Sequence, residues 1–350
     1  VRAIFLHKGN FLSCVNHLFL NIKNCHKTDI NITFKRERDK GKGTDMKRSS
    51  VMASVLMICF ALSSCSSESS GGQKGKLTIT ATTSQVADAA EHIGGDHVEV
   101  TSLMGPGVDP HLYKASQGDT KKLTEADVVL YSGLHLEGKM EHMLTKISRQ
   151  KPSAAVAESI PKEKLIPAGE NMYDPHVWFS IPLWLYAVDE IEAQLKKAKP
   201  EYADDFTKNA QEYKENLKSL DKKSREKIGT IPEKSRVLVT AHDAFAYFGK
   251  EYGFEVRGLQ GLSTDSDYGL KDVQKLVSLL ADKEIKAVFT ESSVSKKSIN
   301  AVVEGAKEKG HDVSVGGWLY SDAMGEKGTK EGTYAGMFAH NIDTIVSSLK

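Results

Sequence analysis

The chain has 350 residues, with 47 Lys+Arg against 46 Asp+Glu and 40% hydrophobic residues, enough for one or two domains with a substantial core. A formal net charge of +1 and an aromatic content of 7% remove the case for a nucleic-acid protein, which gathers basic charge on one face. The same composition excludes disorder for most of the chain.

Residues 1–45 carry three His, two Cys and nine basic residues without clear periodicity. At Met46 the pattern changes. Lys47 and Arg48 precede an apolar run from Val51 to Leu62, and small residues follow up to Cys65, which are the three parts of a secretory signal. A run of about a dozen apolar residues is too short to span a bilayer. Leu62-Ser63-Ser64-Cys65 resembles the bacterial lipobox, whose Cys is the lipid-modified first residue of the mature protein. The expected organisation is therefore an upstream extension over 1–45 that is not translated, a signal peptide over 46–64, and a lipid-anchored Ser/Gly tether over 65–75. Cys14, Cys25, Cys59 and Cys65 all lie at or before the lipobox, so the mature domain has neither a disulfide nor a thiolate metal site. Removing residues 1–64, with their 11 basic and 4 acidic side chains, leaves 36 Lys+Arg against 42 Asp+Glu. A mildly acidic domain outside the cell suits cation binding.

From Lys76 onward, strands alternate with amphipathic helical stretches. Strands are expected over 77–82, 97–103, 127–133 and 153–159, with helices near 84–93, 116–125 and 136–148. The pattern restarts after Arg236 with VLVTAH, then a helix over 243–252, a strand over 254–259, a helix over 269–281, a strand over 286–292, a helix over 295–309, a strand over 312–317 and a last helix over 332–349. Such alternation predicts an α/β fold with two lobes, 76–199 and 229–350, each built on a mainly parallel sheet flanked by helices. Residues 200–228 run without an internal Gly or Pro from Pro200 to Gly229 and predict one long rigid helix joining the lobes.

Ligands of open α/β sheets bind beyond the carboxyl ends of the strands, and four residues of metal-ligating type fall there. His111 and His176 each close an Asp-Pro-His triplet, at 109–111 and 174–176, where proline fixes the local backbone and hence the direction of the imidazole. His242 ends VLVTAH, and Asp322 follows the last strand of the second lobe. Three imidazoles and one carboxylate, two ligands from each lobe, form the expected site for a divalent transition metal in the intervening cleft. Glu291 ends KAVFTE at the same sheet edge and is expected to support a ligand rather than bind. His135, in the loop after the third strand, is the main competitor among the other histidines.

Beyond these residues, PGVDPHLYKAS, YDPHVWFS, VTAHDAFAYFGKEYGF, LQGLSTDSDYGLKD, FTESSVSKKSI and LYSDAMG with GTYAGMFAHN occur in order. In these motifs the chain resembles the manganese- and zinc-binding solute-binding lipoproteins of bacterial ABC importers, from Cys65 to the C-terminal helix. The resemblance implies one divalent ion, Mn2+ or Zn2+, held as cargo by His111, His176, His242 and Asp322. It implies a monomer anchored to the outer face of the cell membrane through Cys65, delivering cargo to a permease with its cytoplasmic ATPase.

Two departures bear on the cargo. Many zinc-dedicated relatives carry a long His-rich loop before the second ligand, whereas 159–175 here contains no His. Some manganese relatives have Glu where this chain has His242. Manganese import is the expected role, with zinc import as the alternative. An exported zinc enzyme is the competing class, but no HExxH or nucleophile motif is present, and a catalytic zinc keeps an open position that four protein ligands leave little room for. An adhesin, a label some relatives carry, would act through surface contacts that the sequence does not display.

Overall fold

The computed structural model describes residues 75–350, which lie within one compact unit. The expected extension, signal peptide and lipid-bearing Cys65 fall outside the described residues. Among the described residues, no helix is long and apolar enough to cross a membrane.

The N-terminal half is built on four parallel strands, β1 (Leu77–Ala81), β2 (Val98–Ser102), β3 (Val128–Tyr131) and β4 (Ser153–Ala155), in the order β2-β1-β3-β4. Their registers place Ile79 beside both Val100 and Val128. Parallel pairing demands a crossover after each strand. It is supplied by α1 (Ser84–Gly94), α2 (Gln117–Glu125) and α3 (Glu141–Ser148). Such strands are covered on both faces, which is why β3 reads as an unbroken apolar run. An antiparallel hairpin of β5 (Pro167–Gly169) and β6 (Met172–Tyr173), which the sequence pattern did not announce, leads to α4 (Ile181–Ala198). A short 3-10 turn over Pro200–Tyr202 then opens α5 (Ala203–Ile228).

The C-terminal half repeats the grammar with β7 (Val237–His242), α6 (Ala246–Tyr252), β8 (Glu255–Gln260), α7 (Leu270–Asp282), β9 (Ala287–Glu291), α8 (Lys296–Glu308), β10 (Ser314–Leu319) and α9 (Tyr334–Leu349). β7 pairs in parallel with β8 and β9 with β10, while β7 packs beside β9. The last strand begins two residues later than expected, at Ser314, and its register shifts between Val315 and Gly317. The expected strand over 153–159 stops at Ala155, and a 3-10 turn over Val156–Ser159 replaces its second half. Gly258 is obligatory in β8: a Cβ there would sit 2.4 Å from the amide nitrogen of Asp243, so only glycine lets β8 lie against the bend that follows His242.

One apolar cluster runs through both halves, from Leu77 and Ile79 through Trp184 and Leu217 to Phe338 and Ile345. Trp184 of α4 stacks on Tyr334 of α9 at 5.6 Å between ring centroids, joining the halves through two fully buried aromatics. The outer faces have their own clusters, Val239 with Leu280 and Val302 in one half and Leu123 with Val129 and Leu144 in the other.

At 1.5 Å per residue, the 26 residues of α5 span about 40 Å. Phe206, Ala210, Tyr213, Leu217, Ser224 and Ile228 form its buried stripe at helical spacing. Acidic Asp204 and Asp205 in its first turn and basic Arg225 and Lys227 in its last complement the helix dipole. The helix is fastened to both halves. Tyr213 donates to Asp88 of α1 at 2.9 Å, Asp221 accepts from Tyr252 of α6 at 2.7 Å, and Arg225 donates to the carbonyl of Glu251 at 3.0 Å.

Candidate metal centre

His242 and Glu291 are the last residues of β7 and β9. These strands pack side by side while each pairs outward, β7 with β8 and β9 with β10, an arrangement like the point where an open sheet forms a crevice at its carboxyl edge. Asp322 follows three residues after β10, and Gln85 Nε2 of α1 and Trp178 Nε1 donate to the carbonyls of Asp322 and Ser321, at 3.1 and 3.0 Å. The loop bearing Asp322 is thereby bonded to the opposite half of the molecule.

Each Asp-Pro-His triplet folds as a small turn closed by its own aspartate: Asp109 Oδ1 accepts from the amide of His111, and Asp174 Oδ1 from that of His176, both at 2.9 Å. This turn, together with proline, aims each imidazole. His111, His176, His242 and Asp322 are all buried, and one ligand atom from each lies within 4.8 Å of all the others. His111 Nε2 and His176 Nε2 are 3.3 Å apart, while the two Asp322 oxygens lie 3.4 Å from His176 Nε2 and from His242 Nε2. Asp322 Oδ1 and His242 Nε2 have no hydrogen-bond partner among the described residues. Buried polar atoms left unpaired are costly, and their convergence fits a cation bound between them.

Two of the imidazoles are backed by carboxylates. His176 Nδ1 donates to Asp174 Oδ1 at 2.7 Å, and His242 Nδ1 lies 2.5 Å from Glu291 Oε2 in an ion-pair contact whose angles fall short of a well-formed hydrogen bond. Glu291 Oε1 also accepts from the backbone amide of His242 at 2.8 Å. A proton held on Nδ1 leaves the Nε2 lone pair facing the cluster. Burial alone depresses an imidazole, but Asp174 and Asp322 outweigh it at His176 and raise its pKa to about 9. Glu291 and Asp322 likewise outweigh burial at His242 and raise it well above the ordinary value. His111 has no carboxylate behind its ring, and burial takes its pKa down to about 3. Asp322, against its own burial, is held well below the usual carboxylate range by His242 and His176.

All four residues named from the sequence thus meet in one cluster, and Glu291 lies behind His242. His135 stands apart, its Nδ1 2.9 Å from Glu141 on the surface. Sequence reasoning missed three residues: Asp174, Thr264, whose hydroxyl donates to Asp109 Oδ2 at 2.5 Å, and Ser293, whose hydroxyl donates to Asp322 Oδ2 at 2.8 Å. The repeated triplet was a usable signal for Asp174; Thr264 and Ser293 lie within two of the quoted motifs, LQGLSTDSDYGLKD and FTESSVSKKSI, but nothing there set them apart from the hydroxyls beside them.

Residues 79–348 match the family described as ZnuA, zinc-uptake complex component A, periplasmic. The chain belongs to this family. It is 75% identical over 305 residues to the manganese-binding lipoprotein MntA of Bacillus subtilis, covering 87% of this chain and all of that protein. It is 46% identical over 275 residues to the zinc-binding protein TroA of Treponema pallidum, covering 79% of this chain and 89% of that one. The solved structure of periplasmic TroA superposes with a TM-score of 0.77 over 79% of this chain and 99% of its own. The α/β architecture expected from the sequence is shared with this solved structure.

Proposed function

We propose that the protein is the extracytoplasmic binding component of an ABC importer, capturing manganese as its cargo and delivering it to a membrane permease powered by a cytoplasmic ATPase. The observation that carries this reading is the buried convergence of three imidazoles and one carboxylate, His111, His176, His242 and Asp322, within 4.8 Å. These four residues hold the ion, with 76–199 and 229–350 acting as two lobes on either side and 200–228 as the strut. Manganese is favoured by the 75% identity to a manganese-binding lipoprotein across that protein's whole length. The histidine-free segment 159–175 points the same way.

Zinc import is the second reading. The 46% identity to a zinc-binding protein favours it, as does the preference of a three-imidazole site for zinc in the Irving-Williams order. The role is binding rather than catalysis: four buried protein ligands enclose the cluster, leaving little room for the water or substrate that a catalytic zinc activates. Lipid on Cys65 anchors the monomer to the outer face of the cell membrane.

The test is elemental analysis of the purified protein after exposure to equimolar Mn2+ and Zn2+, alongside Asp322→Ala, with the manganese and zinc contents of cells lacking the gene. One ion per chain, lost in the variant, and cells depleted of manganese are expected. Cells depleted of zinc with manganese unchanged would assign the cargo to zinc, and no stoichiometric metal would overturn the ligand set.

A further inference from the structure

The turn that follows β9 supports both ligands of the C-terminal half. Glu291 backs His242, and two residues on, Ser293 Oγ donates to Asp322 Oδ2 at 2.8 Å. Ser293 is itself held in place. Its hydroxyl lies 2.8 Å from Ser321 Oγ, so Ser321 donates to Ser293 while Ser293 donates to the carboxylate. The preceding residue extends the strand pairing, since the amide of Ser292 donates to the carbonyl of Leu319 at 2.9 Å.

This chain of hydroxyls matters because of what Asp322 does with its two oxygens. Oδ1 faces His176 Nε2 and Oδ2 faces His242 Nε2, each at 3.4 Å, so the carboxylate presents both oxygens to the cluster rather than one. The terminal torsion of an aspartate is soft, with broad wells, and burial alone does not hold such a pose. A hydrogen bond to an ionised oxygen is strong and directional, and it occupies only one of the lone pairs on Oδ2. A carboxylate offering two oxygens beside three imidazoles supplies more than four donors. That suits an ion that accepts six, such as manganese, and gives nothing extra to zinc, which prefers four.

We propose that Ser293 is a positioning residue for cargo selection: it fixes Asp322 with both oxygens toward the ion and thereby raises manganese affinity relative to zinc. The inference rests on the metal-binding reading above and concerns which ion the site retains. The experiment is competitive titration of Mn2+ and Zn2+ into the wild-type protein, Ser293→Ala and Ser293→Thr, with thermal melts to establish folding and X-ray absorption at the manganese edge to follow the carboxylate. Ser293→Ala is expected to lose about tenfold or more in manganese affinity while zinc affinity changes by less than about threefold. Ser293→Thr, which keeps the hydroxyl, restores the wild-type ratio. The absorption signature of a chelating carboxylate is expected in the wild type and in Ser293→Thr and absent from Ser293→Ala. Parallel loss of both metals, or an unchanged ratio, would overturn the role of Ser293 and leave the ligand set standing. A wild-type protein that retains neither ion would instead bring down the metal-binding reading, and this inference with it.

Discussion

The two Asp-Pro-His triplets share a sequence and a backbone turn, yet their aspartates do different work. Asp174 is fully buried and spends the oxygen that closes its turn on the ring nitrogen of His176 as well. Asp109 closes the same turn around His111 but sends its second oxygen to Thr264, on a loop of the opposite half. Lys139, in the turn before α3, and Asp265, beside Thr264, lie 2.7 Å apart and add an ion pair between the same two halves. One triplet therefore tunes a ligand and the other ties two loops together across the site. Repetition in a sequence identifies equivalent turns; the surroundings decide what the spare hydrogen-bonding capacity is used for.

Removing each aspartate should separate these roles. Asp174→Ala frees the ring of His176 and strips its partner, so metal affinity should fall by about 10- to 100-fold. The metal-free protein should lose about 1–3 kcal/mol of stability. Calorimetric titration and a denaturant melt check both, and an unchanged affinity would remove the distinction between the triplets.

Acidity should act mainly through the backed histidines. With His176 raised from 6.5 to about 9, the metal-free protein holds a proton that cargo must displace, so affinity should climb as pH rises from 6 to 9. Each displaced proton contributes about tenfold per pH unit. The same shift stabilises the metal-free fold in full below pH 6.5, and this contribution disappears as pH rises through 9. Binding isotherms across that range test the slope, and the slope should flatten in Asp174→Ala.

Asp109→Ala should change rates more than equilibrium. Capture and release, followed by stopped-flow mixing with a chelator, should both accelerate, with affinity moving by less than about tenfold. Thr264→Val removes only the hydroxyl across the gap and should give the smallest change, a faster release with no loss of bound metal at saturation. A Thr264→Val effect as large as that of Asp174→Ala would mean that the outer bond supports the ligands directly.

The parts of the site that could be read from the chain were those with a chemical label at a geometrically special place. His242 ends a β-branched run, Asp322 follows the last strand, and the paired triplets marked His111 and His176. Ser293 carried no such label. It sits in the run Glu291-Ser292-Ser293-Val294-Ser295, where one hydroxyl looks like the next until the chain folds Asp322 against it. Thr264 was hidden for the same reason, since its partner is 155 residues away. The β5-β6 hairpin was missed because five strand residues give no usable alternation, whereas α5, with a buried stripe sustained over 26 residues, was legible almost to its ends.

The fastening of α5 at Asp88, Tyr252 and Glu251 has a consequence for traffic at the membrane. A receptor braced along its length is expected to keep nearly the same outline whether loaded or empty, so small-angle scattering profiles of the two forms should nearly coincide. A transporter meeting such a receptor would have no gross change of shape to read. Under the proposed role, empty copies would then compete with full ones for the same docking place, and uptake would slow as the metal-free fraction grows.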